Sequence, residues 1–291
     1  MTSKATILSE TVCQLGEGPT YDADTDTLFW FDILGQTLHE RQLGSGAERR
    51  HALPLMASAL AIVDTDRQLL ATEAGLFLRQ RASGELVLVQ PIEADNPATR
   101  SNDARVHPCG AFWIGTMGKK EERAAGAIYW FMGGELRTLF TGVTIPNATC
   151  FSPDGTTAYL TGLVSGVLHE VACDPGSGMP TGKPRIFRDH RGETGSLDGA
   201  VVDAEGVIWN ALWGAGRVDA YSAAGGLLES VPVPARKASC PAFIGANADR
   251  LAVTSAWAGM NEEERAADPH AGKTFLLDIP VRGRLEPKVL L

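Results

Sequence analysis

Four residues with side-chain oxygens stand at one recurring position of this chain: Glu17, Asn102, Asn147 and Asp198. Each lies five residues before a turn-like tetrad: DADT at Asp22, HPCG at His107, SPDG at Ser152 and DAEG at Asp203. Two further tetrads, DTDR at Asp64 and ANAD at Ala246, put apolar Ala59 and Pro241 at the same offset. Facing one another, the four polar residues would make a ring of oxygens. Like charges such as Glu17 and Asp198 raise each other's pKa when brought together, unless a cation lies between them. Ligation by carboxylates and carboxamides, without Cys or His, suits a hard divalent cation: calcium, magnesium or manganese. Zinc with carboxylate and water ligands also fits. The competing reading has the Asn and Asp side chains serving only nearby turn backbone. It suits any one of them alone, and suits four at the same repeat position much less well.

The elements that must position these residues follow from the same repeat. The tetrads begin at 22, 64, 107, 152, 203 and 246, spaced by 42, 43, 45, 51 and 43 residues. Such periods are near the ~40–50 residues of a propeller blade. After each tetrad comes a β-rich run: TLFWFDI, QLLATE, AFWIGTM, TAYLTG, VIWNALW and RLAVTSA. A third segment follows: QTLHERQL, LFLRQR, GAIYWFM, GVLHEVA, RVDAYS and KTFLLDI. Aromatic and β-branched content favours strands. The pattern predicts an all-β chain, a six-bladed β-propeller with four antiparallel strands per blade and a metal site in its central channel. One domain is expected over residues 1–291. A β-sandwich would explain the turn spacing but not six in-register copies. Ala5–Leu8 is expected to complete the last blade beside the C-terminal strands. Of the two longer inserts, Gly118–Gly126 and Trp257–Gly272, the second carries Glu262–Arg265, read as a solvated helical turn.

Composition narrows the partners. The 291 residues are 44% apolar and 21% charged, enough for a packed core. A net charge of −9 offers no basic excess for nucleic acid or an anionic membrane surface. The N-terminus lacks the continuous apolar stretch of a secretion signal, and no run approaches the ~18 apolar residues of a membrane span. Five cysteines without a C-x-x-C pair suit a reducing cytoplasm. No H-E-x-x-H or G-x-S-x-G is present, and no glycine fingerprint for a dinucleotide appears.

Four segments together resemble the gluconolactonase/regucalcin/senescence-marker family of six-bladed propellers. They are LGEGP, the run from Arg100 to Met117 (RSNDARVHPCGAFWIGTM), PNATCFSPDGTTAYLTG and LDGAVVDAEGVIWNALWGAGRV. The similarity runs from about Glu17 to the C-terminus. What the resemblance implies is a divalent-metal-dependent hydrolase of sugar lactones. On the family pattern Glu17, Asn147 and Asp198 match the metal ligands, and Asp198 doubles as catalytic base. Arg100 and Asn102 match substrate-contacting positions. Two departures stand out. A substrate-contacting Glu of some members aligns with Lys120, next to Glu121, so these two residues are expected to read the substrate differently. The Asp of a Y-x-x-D-S/T pattern is replaced, since this chain has Tyr159-Leu160-Thr161-Gly162.

The expected reaction is attack of water on a lactone carbonyl polarised by one divalent cation, calcium first among the candidates. Lys119 and Lys120 would add positive charge beside Arg100 if their insert borders the substrate. Two alternatives stay open. An aryl-ester or organophosphate hydrolase would use the same metal on another electrophile. A non-catalytic calcium-binding protein would use the same oxygens and leave Arg100 and Asn102 unexplained.

Overall fold

The computed structural model describes residues 5–291; the reading of the N-terminus as free of a secretion signal begins on residues 1–4, which lie outside the described residues. The chain forms six four-stranded sheets; five are built from strands consecutive in sequence, and the sixth joins the N-terminal strand to the last three. These are the blades of a six-bladed β-propeller, nearly all-β, with one short helix among the described residues, Glu262–Ala267. The leading strands are Gly16–Asp22, Ala57–Ile62, Thr99–Val106, Cys150–Phe151, Ser196–Val202 and Ala238–Ile244. Every apolar run that followed a tetrad is the second strand of its blade, and every third segment is the third strand. The sixth blade is completed by the N-terminal strand Ala5–Ser9, which pairs antiparallel with Thr274–Leu277 in the register Ala5↔Leu277 and Ile7↔Phe275.

By backbone contacts the chain divides into two compact units. Unit one comprises residues 1–50 and 192–285, and unit two comprises 51–191 and 286–291. Each has its own apolar core. In unit one Val201, Trp209, Val218, Val253 and Phe275 pack together, and in unit two Trp113, Ile128, Phe151, Leu160 and Val171 do so. Second strands such as Thr27–Asp32 are buried on both faces, which accounts for the unbroken apolar run TLFWF. Fourth strands such as Glu48–Ala52 and Leu227–Pro232 are largely exposed.

The turn tetrads work as their composition suggests. In DAEG, Asp203 Oδ1 accepts from the backbone N–H groups of Glu205 and Val207. The Glu262–Arg265 run is the expected helical turn, capped by Asn261 in a capping box with Glu264. All five cysteines are free thiols. Among the described residues no helix is long and apolar enough to cross a membrane.

Candidate metal and catalytic site

Five of the six leading strands carry the same irregularity at the same height. In blade one the register passes from Glu17↔Phe31 to Thr20↔Phe29, three steps on one strand against two on its partner. Blades three, five and six repeat this at Ser101–Ala104, Leu197–Ala200 and Ala238–Pro241. Blade two has a shorter version at Ala57–Ala59. Each is a β-bulge, which inserts one residue and re-aims the side chains around it. Glu17, Asn102 and Asp198 lie at or inside these bulges, and Ala59 and Pro241 end theirs. Both apolar residues are thus on leading strands, at the opposite end of their bulges from Glu17. Blade four differs: its leading strand has shrunk to Cys150–Phe151, and Asn147 precedes it in irregular chain.

In unit one the bulge of blade five holds Asp198, a carboxylate only 5% exposed. Asn210, fully buried on the second strand, donates its Nδ2 hydrogens to the carbonyls of Asp198 (2.7 Å) and Gly199 (2.9 Å). The bulge therefore has fixed geometry. A Cβ on Gly199 would come within 2.4 Å of Cys240 Sγ in the neighbouring blade, so glycine is required beside Asp198. Blade six uses the same device: Thr254 Oγ1 donates to the Cys240 carbonyl, and Ser239 Oγ donates to Gly16 O at 2.5 Å, next to Glu17. Half-buried Glu17 accepts the Gly18 N–H on Oε2 at 3.0 Å. Asn210, Ser239 and Thr254 escaped the sequence reading. Their signal was a polar residue inside the apolar second-strand runs WNALW and LAVTS, and one at a bulge.

Unit two brings Arg100, Asn102 and Asn147 together. Arg100 Nη1 donates to Asn102 Oδ1 (2.7 Å) and to the Ser101 carbonyl (2.8 Å). Asn102 Nδ2 donates to Asn147 Oδ1 (2.8 Å) and to Pro146 O (2.9 Å). Asn147 is clamped through its backbone: its N–H donates to Thr161 Oγ1, and its carbonyl accepts the Thr161 N–H. Thr161 thus earns a role that sequence did not disclose. Gly162, at the Asp position of the Y-x-x-D-S/T pattern, has φ +95°, and a Cβ there would meet Ile145 O at 2.7 Å. The departure is therefore enforced by the backbone, and no side chain from this position reaches out.

Asp103 is the second of the two residues that oppose Gly115 at the blade-three bulge. Its role is structural: Oδ2 accepts the Thr149 N–H at 2.7 Å. Burial pushes its carboxyl up to about 6, although Arg105 and the Thr149 bond pull the other way. The folded chain then holds this proton more tightly than the unfolded chain. The stability so gained is full below about pH 4 and is lost as pH rises through about 6. Asp103→Asn keeps an acceptor for Thr149 and removes the titration. Measured by urea unfolding, the stability of wild type relative to Asp103→Asn is expected to fall by roughly 2–3 kcal/mol between about pH 4 and pH 7. Parallel profiles would show that this carboxyl titrates alike in both states.

The insert after the second strand of blade three contributes less charge than expected. Lys119 forms an ion pair with Glu73 at 2.5 Å, so it is engaged within the protein. Lys120 and Glu121 are exposed on the turn, where the Lys120 N–H donates to Glu122 Oε2 and Glu121 has φ +60°. Trp113 and Trp209 are blade-packing residues, their Nε1 groups donating to Gly178 O and Asp203 Oδ2. Trp213 is half-buried with Lys237 Nζ 5.0 Å from its ring centroid.

Among the described residues no three His, Cys, Asp or Glu side chains gather as one metal site. The expected ligands are two carboxylates and one carboxamide and do not require such a cluster. Their chemistry fits a hard divalent cation: all donors are oxygen, and Asn147 has its oxygen, not its nitrogen, oriented by the protein.

Residues 15–257 match the family model of the SMP-30/Gluconolactonase/LRE-like region. A Rhizobium meliloti (strain 1021) protein, named provisionally as a sugar lactone lactonase, is 52% identical over 96% of this chain and 95% of its own. An L-arabinolactonase of Azospirillum brasilense is 33% identical, covering 94% of this chain and 91% of its own. Among solved structures, a calcium-binding protein, regucalcin, from Agrobacterium tumefaciens superposes with a TM-score of 0.97 at 49% identity, over 98% and 97% of the two chains.

Proposed function

The chain belongs to the SMP-30/gluconolactonase/LRE-like family, and from that membership we propose that it hydrolyses a sugar lactone to the sugar acid with one divalent cation. Glu17, Asn147 and Asp198 are the ligands in this reading, and calcium is the first candidate. The observation that carries it is Asp198: a carboxylate buried in a bulge whose carbonyls Asn210 holds and whose neighbour is an obligatory glycine. The sugar-lactone names of the relatives support the substrate class.

When bound, the cation polarises an ester carbonyl and stabilises negative charge on its oxygen. Asp198 takes the proton of the attacking water as the water oxygen bonds to the carbonyl carbon. The ring C–O bond then breaks, and the departing alkoxide takes up the proton that Asp198 had accepted, which leaves the hydroxy acid and restores the carboxylate. Arg100 carries five donors in a planar fork, suited to hydroxyl or carboxylate oxygens of the substrate. With Asn102 it orients the ester, and orientation alone contributes strongly to rate. Lys120 and Glu121, exposed at the insert, read the far end of the sugar. The setting is a cytoplasmic one.

A second reading, calcium binding without turnover, is favoured by the description of the Agrobacterium relative as calcium-binding. A third uses the same groups on aryl esters or phosphotriesters. Comparing kcat/KM on pentono- and hexonolactones, aryl esters and phosphotriesters separates them. Sugar lactones are expected to lead by at least about a hundredfold. Leading turnover of another class would replace the proposal, and binding without any turnover would favour the second reading.

A further inference from the structure

We infer that Asn102 is a positioning residue that presents the oxygen of Asn147 to the cation, an inference that rests on the proposed ligand role of Asn147. A carboxamide has one acceptor end and one donor end, and which end faces a neighbour depends on the partners around it. For Asn102 the partners leave no choice. An Arg guanidinium only donates, so the atom 2.7 Å from Arg100 Nη1 is the oxygen. A backbone carbonyl only accepts, so the atom 2.9 Å from Pro146 O is the nitrogen. Reversing Asn102 would set donor against donor and acceptor against acceptor.

With Asn102 fixed, its remaining Nδ2 hydrogen points at Asn147, and only an oxygen can receive it. Asn147 therefore keeps Oδ1 on this side, 2.8 Å from Asn102. That oxygen has two lone pairs, so one bond from Asn102 leaves a second for a hard cation. The backbone clamp on Thr161 holds the Asn147 main chain but does not determine which end of its amide faces inward. Arg100, Pro146 and Asn102 determine it. The order of dependence runs from a donor-only cation through one amide to the next, and the residue that touches the metal is its last member.

The experiment measures calcium and manganese affinity by calorimetry, without substrate, for four proteins: wild type, Asn102→Leu, Asn147→Asp and the double variant. Thermal stability in chelator checks folding. Asn102→Leu removes the donor without adding charge and is expected to weaken binding roughly tenfold or more, the scale on which groups that orient metal ligands act. A carboxylate at 147 offers oxygen at both ends, so in the Asn147→Asp background the same change is expected to cost about threefold or less. Asn102→Asp provides a second arm. Simple Coulomb attraction would make it bind more tightly, whereas loss of the donor makes it bind more weakly. Equal losses in both backgrounds, unchanged affinity with only KM raised, or tighter binding by Asn102→Asp would each overturn the inference. A wild-type protein that binds neither cation would overturn the proposed function and this inference together.

Discussion

Asp198→Ala is expected to lower kcat/KM for sugar-lactone hydrolysis by at least about a thousandfold. A positioned general base contributes roughly 10²–10⁴ in rate, and here the same carboxylate is also proposed as a ligand. The fold should tolerate the change. Asn210 holds the bulge through the carbonyls of Asp198 and Gly199, which the substitution leaves in place. Steady-state kinetics should therefore collapse while thermal stability in chelator changes by only a few degrees. Activity within about tenfold of wild type would remove Asp198 from the chemistry. A collapse of stability with activity would mark the carboxylate as structural.

Glu286→Ala is expected to destabilise the protein by about 3 kcal/mol, the scale for breaking a mostly buried ion pair from one side. Arg105 Nη1 meets Glu286 Oε1 at 2.7 Å, and the arginine side chain is only 8% exposed. The residues after Glu286 belong to the same unit and bind its turns: the Val289 N–H donates to Ile62 O and the Leu290 N–H to Gly110 O. Loss of the ion pair thus also weakens the anchoring of the C-terminus. A drop of about 5–10 °C in melting temperature is the expected readout. A change within about 1 °C would mean that other partners of Arg105 suffice.

The repeat was legible because each blade spells it with the same chemistry: an Asx or Gly turn and then an apolar run buried on both faces. The offset of five kept its residues on the leading strands but not at one level. Each of five leading strands has a bulge; Glu17 opens its own, Asn102 and Asp198 lie inside theirs, and Ala59 and Pro241 close theirs. A bulge has no compositional mark of its own, and Leu197-Asp198-Gly199-Ala200 reads as an ordinary strand. Blade four shows the limit: Asn147 keeps the offset although its leading strand has retreated to two residues. Partners such as Asn210 and Thr161 were hidden because side-chain hydrogen bonds across strands depend on register, which the bulges shift. The ion pair of Lys119 could not be foreseen because its partner Glu73 lies in another blade, 46 residues earlier.

The most direct test of the account is sugar-lactone hydrolysis by the purified protein after exhaustive chelation, followed by back-titration with calcium, manganese, magnesium and zinc. Activity is expected to fall to the level of Asp198→Ala in chelator and to return with saturating dependence on at least one cation. Glu17→Gln should need a higher concentration of that cation for half-recovery. Hydrolysis that continues undiminished in chelator, with affinity chromatography and mass analysis showing no bound metal, would contradict the account.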